Sequence, residues 1–280
     1  MNKDTNANQS PDASANVELV QGISLTDEQR FLFDLNGWVC LPGVLTESET
    51  ASIREHVITL KNDPQSLPPK QRYPFAGPGQ QLLDHPALVG ALGEFLEQPK
   101  ANAYGFRMEG AFGVVRPAGH EDRQLPHRGP QTPPFAYSFQ QGRSYSGLTR
   151  VVWELNPVEK GDGATAFLSG SHKMNLPIPD SIRRKDSPWL SQYECPAGSM
   201  VIFAESTIHA GLPWGNEKWP RVAILFAYSM GVTQWHKMNL PAEVVQQFTP
   251  AQQTLFRGVW GHDFHNRRTN DYFSAENQAL

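Results

Sequence analysis

Two short stretches carry residues able to hold a redox-active metal. Leu125 to Pro130 reads Leu-Pro-His-Arg-Gly-Pro and contains His127; much further along, Ile208 precedes His209, and Arg221 follows in the next apolar run. A ferrous site needs neutral imidazoles to hold the ion and open positions where a cosubstrate and dioxygen bind. His127 and His209 suit the first need. Arg221 suits the carboxylate of a keto-acid cosubstrate, because its planar fork binds such a group bidentately. His209 ends the strand-like run Val201-Ile202-Phe203, with Glu205 to Ile208 as its rim, and a hairpin returns Arg221 to the same place. The chain has nine histidines, and any single one is more often a surface or hydrogen-bonded residue than a ligand. Spacing alone leaves both readings open.

The scaffold that must position these residues is legible in outline. Thr26 to Gln29 reads as an N-cap with Gln three residues on, ahead of an apolar helix that Gly37 stops. Trp38 to Leu41 is a short β-rich run, and Thr46 with Glu49 opens a helix carrying Ile53, Val57 and Leu60 on one face. A proline-rich loop from Pro64 to Pro78 leads to a third helix over Pro86 to Glu97, with Leu88, Leu92 and Phe95 at helical spacing. Phe106–Arg116, Gly147–Leu155, Ser199–Ala204 and Arg221–Tyr228 are then rich in Val, Ile, Phe and Thr and are parted by Gly/Pro turns, which predicts an antiparallel sandwich or barrel. Short helices begin at Pro241 and Pro250. No internal repeat or domain boundary interrupts this pattern. The expectation is a disordered tail over 1–23 and a single domain over 24–280, mainly β with flanking helices.

Bulk properties exclude several classes. With 24 basic and 28 acidic residues mixed along the chain, for a net charge of -4, there is no basic footprint for nucleic acid or a membrane surface. Mean hydropathy is -0.47, and no run approaches the roughly 18 apolar residues of a membrane span. Two cysteines, Cys40 and Cys195, stand in unrelated contexts. They suggest neither a disulfide framework nor a zinc cluster, so a reducing, cytoplasmic setting is the default.

Three segments carry a family resemblance: FDLNGWVCLPGVLTESE, GDGATAFLSGSHK from Gly161 to Lys173, and FAESTIHAGLPWGNEKWPR from Phe203 to Arg221. In order, between about Phe31 and Ser229, they resemble the opening, the Gly-Ser-His-Lys signature and the distal-ligand segment of the phytanoyl-CoA dioxygenase-like proteins. The resemblance implies a double-stranded β-helix (a jelly-roll barrel), Fe(II), 2-oxoglutarate and O2 as cofactors, and oxidation of a C–H bond in a small molecule. It gives His209 the distal-ligand role and Arg221 the cosubstrate-arginine role. Thr149 and Trp153, on the strand after the first ligand, are candidates for lining the cosubstrate pocket, with core packing as the other reading for Trp153. His172 is read as structural.

One position departs from the family. Where it has His-x-Asp or His-x-Glu, this chain has His127-Arg128-Gly129. Glycine cannot ligate a metal, and in the 2-oxoglutarate-dependent halogenases the same replacement leaves a coordination position for chloride or bromide. Gly129 therefore favours halogenation, specifically chlorination, over hydroxylation. Alternatives stand beside it. A carboxylate from elsewhere (Glu109, Glu154 or Glu205) fills the position, or His120 and Asp122 form a complete His-x-Asp in an upstream, turn-like loop and the protein is a hydroxylase. Another is a catalytically silent cupin-like binding protein. Arg107, Arg116, Arg123, Arg128 and Arg143 suggest a cationic entrance for an anionic substrate; Phe75, Phe135, Tyr137, Phe139 and Trp235 are candidate pocket aromatics. Substrate identity and oligomeric state are not written in these residues. With His127 as first ligand, His127→Ala should abolish iron binding in a calorimetric titration and His120→Ala should leave it intact; the opposite pair of results reassigns the site.

Overall fold

A computed structural model describes residues 17–99, 102–120 and 124–259. The first helix, α1 (Asp27–Asn36), starts at the Thr26/Gln29 capping box and ends at Gly37, whose φ of 80° is the left-handed conformation that glycine adopts without strain. Strand β1 (Trp38–Leu41) and helix α2 (Glu47–Asn62) follow, the latter opened by the Thr46/Glu49 capping box. Helix α3 (Pro86–Phe95) takes proline in its first turn, where the missing N–H costs nothing.

The remaining strands are β2 (Phe106–Arg116), β3 (Tyr137–Gln140), β4 (Arg143–Ser146), β5 (Leu148–Glu154), β6 (Ala164–Phe167), β7 (Ser199–Ala204), β8 (His209–Leu212) and β9 (Arg221–Met230). Helix α4 (Ala242–Val245) is a single turn, and α5 (Pro250–Gln253) continues as a 3-10 turn to Phe256. The major sheet has the order β1-β7-β5-β9-β2, with its paired strands antiparallel. Facing it is a minor sheet in which β6 pairs with β8. Bridges extend the minor sheet on both sides, His127 joining β8 and Ser191 joining β6. These two facing sheets form the double-stranded β-helix, with helices flanking the major sheet.

Both faces of β5, β7 and β9 are buried, and alternation sorts their side chains. Val151, Trp153, Ile202, Ile224 and Phe226 form one core with Ile53 and Val57 of α2 and Leu88 and Leu92 of α3. The intervening Val152, Val201, Phe203 and Ala223 point the other way, against Phe167 and Trp214 of the minor-sheet side. Of the tail expected over 1–23, the described residues take in 17–23. Residues 1–16 lie outside the described residues, whereas Val17, Leu19 and Val20 pack against the core. Ile23 N–H donates to the Pro86 carbonyl (2.9 Å) and Val20 N–H to the Tyr104 hydroxyl (3.1 Å).

The Gly-Ser-His-Lys turn ties α1 to the minor sheet. Ser171 Oγ accepts from Ile208 N–H (2.7 Å), Lys173 pairs with Asp34 (2.9 Å), and His172 bonds the Asp34 carbonyl through Nε2 (3.0 Å). Burial pushes the His172 pKa down to about 4 and keeps the ring neutral, in agreement with a structural role. Gly37 packs directly on this turn. A Cβ there would lie 2.4 Å from Thr207 Oγ1 and 2.5 Å from His172 Nδ1. Gly37→Ala should therefore cost at least about 1–2 kcal/mol from the left-handed backbone alone, read as a lower urea midpoint; an unchanged midpoint would show that this corner is not held as described.

Candidate metal centre

The two histidines meet at the edge of the minor sheet. His127 N–H donates to the His209 carbonyl (3.0 Å) and His209 N–H to the His127 carbonyl (2.8 Å), a reciprocal pair that sets the residues directly opposite each other. Their ring centroids are 4.4 Å apart. Each Nδ1 lies against the carbonyl two residues upstream, Leu125 for His127 (2.9 Å) and Thr207 for His209 (2.8 Å). A carbonyl only accepts, so each Nδ1 carries the proton and each Nε2 keeps its lone pair, the tautomer a metal ligand needs. Burial further lowers the His209 pKa to about 4, which keeps that ring neutral. This donor set fits a divalent transition ion.

These residues line a cavity of about 240 Å³ between the sheets, walled by Val114, Thr165, Phe203 and Leu225 and charged by Arg116, Arg150, Arg221 and Glu205. Arg221 is buried, as its strand position requires, and is the hub of a network. Its Nη2 donates to Glu154 Oε1 (2.5 Å) and Thr165 Oγ1 (3.1 Å), while the Tyr193 hydroxyl donates to Glu154 Oε1 (2.6 Å). Burial alone would lower the pKa of Arg221; the charges of Glu154 and Tyr193 outweigh it and hold it above the ordinary value. The second pair is Arg150 Nε with Glu205 Oε2 (2.6 Å).

Several expectations change. Thr149 and Trp153 do not line the cavity. They share the helix-facing side of β5, where Thr149 donates to the Ser146 carbonyl (2.7 Å) and the Trp153 ring stands edge-on to His85. A strand turns successive side chains to opposite faces, so Arg150 lines the cavity, and Glu154 on the same face bonds Arg221 behind it. His120 is exposed, and Asp122 and Arg123 lie outside the described residues. Glu109 is bound at the far end of β2 by Arg107 (2.9 Å), Ser229 (2.5 Å) and the Trp235 and His236 N–H groups. Of the entrance arginines, Arg116 reaches the cavity. Arg107 pairs with Glu109, Arg128 donates to the Met174 and Leu176 carbonyls (2.8 and 3.0 Å), and Arg143 to the Gly93 and Glu94 carbonyls (2.5 and 2.7 Å). The five candidate aromatics are also elsewhere: Phe75 stacks in the core with Tyr73, Phe135 meets Trp235 edge-on, Tyr137 binds Asp34, and Phe139 is exposed. Phe112 and Phe203 line the site instead.

Comparison with known proteins agrees with this architecture. Residues 33–223 match the family described as phytanoyl-CoA dioxygenase (PhyH). The chain belongs to the phytanoyl-CoA dioxygenase family. A curated relative, the iron/alpha-ketoglutarate-dependent dioxygenase ausO of Aspergillus calidoustus, is 28% identical over 108 residues, which spans 38% of this chain and 36% of that protein's length. Among solved structures, HygX from Streptomyces hygroscopicus with iron bound superposes with a TM-score of 0.61 at 20% identity, covering 79% of this chain and 94% of HygX. The nickel complex of the non-heme monooxygenase ThoJ gives 0.51 at 16%, covering 90% and 96%. These likenesses establish the fold that this family member shares. Because Arg221 borders the cavity and Trp153 the core, Arg221→Lys should weaken binding of 2-oxoglutarate, since lysine lacks the planar fork that Glu154 and Thr165 hold in place. Trp153→Phe should lower the melting temperature and leave that affinity unchanged, both read by calorimetry; a Trp153→Phe effect on affinity would restore it to the pocket.

Proposed function

We propose that this chain is an Fe(II)- and 2-oxoglutarate-dependent oxygenase acting on an aliphatic C–H bond of a small molecule. The observation that carries the reading is the opposed pair His127 and His209, each with Nε2 left as a donor by its own carbonyl bond. The bound ion and oxo-acid supply activation of dioxygen, with 2-oxoglutarate leaving as succinate and carbon dioxide. The residues of the chain do the rest. His127 and His209 hold the ion, Arg221 and Thr165 receive the far carboxylate, and Val114, Phe203 and Leu225 keep that end dry. The cavity is walled by Arg150, paired with Glu205, and by Arg221, which is backed from outside the cavity by Glu154. A dication and a dianionic oxo-acid entering together leave its net charge unchanged. At about 240 Å³ it lies below the range of roughly 300–1,000 Å³ usual for drug-sized ligands, so it suits the cosubstrate, and the substrate sits at its mouth. HygX has been crystallised with nickel, 2-oxoglutarate and hygromycin B bound, and SnoN with Fe3+, alpha ketoglutarate and nogalamycin RO; a small organic substrate is in keeping with these.

Gly129 supports a second outcome, transfer of chloride in place of oxygen, because it offers no carboxylate. The surroundings favour oxygen. The carbon chain of Glu205 lies in the space a side chain at 129 would take, and its anionic head lies beside it. Iron-dependent conversion of 2-oxoglutarate to succinate, measured without substrate as uncoupled turnover, should be present in the native chain and absent in His209→Ala. A chain that forms no succinate and binds no iron is instead the silent cupin-like binder.

A further inference from the structure

We propose that Glu205 supplies the anionic metal donor that Gly129 lacks, and that residue 129 is glycine because Glu205 requires its space. This rests on the iron-site reading above. The backbone at Gly129 is not in the left-handed region, so conformation does not demand glycine there. Space does. A Cβ at 129 would lie 2.3 Å from Glu205 Cγ and 3.4 Å from its Cβ and Cδ, and carbon atoms pack at about 3.5–4.0 Å. The two segments are fixed in this relation by Gly129 N–H donating to the Glu205 carbonyl (2.8 Å).

The carboxylate is also in the right company. Glu205 is 7% exposed and lines the cavity with both histidines. Arg150 holds it unevenly, Nε at 2.6 Å from Oε2 but Nη2 at 3.4 Å from Oε1. A carboxylate has lone pairs enough to keep the Oε2 bond and offer Oε1 to an ion. Among the described residues no three imidazole, thiol or carboxylate groups are gathered tightly enough to hold an ion as they stand; for Glu205 to serve, its head must turn about the held oxygen when the ion binds. The other carboxylates considered are committed, Glu109 at the far end of β2 and Glu154 to Arg221 and Tyr193. A halide in the same place would sit against the Glu205 anion, so the inference also excludes the halide position beside Gly129.

The test is a swap, read with Co(II) on the full chain by calorimetry and by the visible ligand-field spectrum. Glu205→Ala and the isosteric Glu205→Gln should each weaken Co(II) binding by at least about tenfold, with Glu205→Gln keeping the native melting temperature. Gly129→Asp alone should weaken binding too, because it collides with Glu205. The double variant Gly129→Asp/Glu205→Ala should recover affinity to within a few-fold of native, the new carboxylate taking the cleared space. Chloride should change the Co(II) spectrum of Glu205→Ala and not of the native protein. Native affinity in Glu205→Gln, tighter binding in Gly129→Asp alone, or a native spectrum that titrates with chloride would each overturn the proposal. His209→Ala distinguishes a deeper failure: if it binds Co(II) as the native chain does, the histidine site itself is wrong, whatever Glu205 does.

Discussion

The arrangement depends on one pair of backbone hydrogen bonds, those exchanged between His127 and His209. His127 does not lie in a strand of its own. It sits on a loop that the β8 edge captures as one more rung of the minor sheet, and the Gly129–Glu205 bond continues the attachment. Opposed residues of an antiparallel pair send their side chains to the same face. The two imidazoles therefore converge because the main chain is paired, and their rings are then aimed by the carbonyls at Leu125 and Thr207. A slip of one residue in this pairing would turn His127 out of the cavity and Arg128 in.

That same two-residue period explains what could and could not be read in advance. The capping boxes at Thr26 and Thr46 and the left-handed stop at Gly37 are local chemistry, and α1 and α2 fall where those residues place them. The four long β-rich runs become β2, β5, β7 and β9 for an equally direct reason, their density of branched and aromatic side chains. Short strands such as β6 (Ala-Thr-Ala-Phe) and β8 (His-Ala-Gly-Leu) carry small residues with little strand preference, and they form because partners lie beside them. Which face of β5 meets the site was not legible. Leu-Thr-Arg-Val-Val-Trp-Glu is buried on both sides, so hydrophobic alternation, the usual guide to facing, is absent. Thr149 and Trp153 were chosen by residue type and face the helices; Arg150 and Glu154, charges in a run that is otherwise apolar, lie on the opposite face.

Charges in such a run are costly to bury, and a desolvated pair gains little over apolar neighbours of the same size. Their presence here is better understood as organisation of the cavity than as stabilisation of the fold. Glu154 and Tyr193 hold the Arg221 guanidinium in one orientation between the sheets, and Arg150 holds Glu205 beside the histidines. In both cases a carboxylate and a guanidinium are held together at low solvent exposure. Arg128 shows the contrast. It lies between His127 and Gly129 yet turns outward to the carbonyls of Met174 and Leu176, where it fastens the ligand loop to the segment after the Gly-Ser-His-Lys turn.

Gly129 is the position where sequence and structure lead to different chemistry from one residue. In a linear reading a glycine at a ligand position means a missing donor, and an exogenous anion is the natural replacement. In the folded chain a glycine can equally mean room for a donor arriving from another strand, and the two cases differ only in what lies within a few ångströms. Here the neighbour is a buried carboxylate whose backbone is bonded to that glycine and whose side-chain carbons occupy the position of the missing Cβ. The loss of a side chain at 129 and the burial of one at 205 are thus a single steric fact. Neither residue can be interpreted without the other.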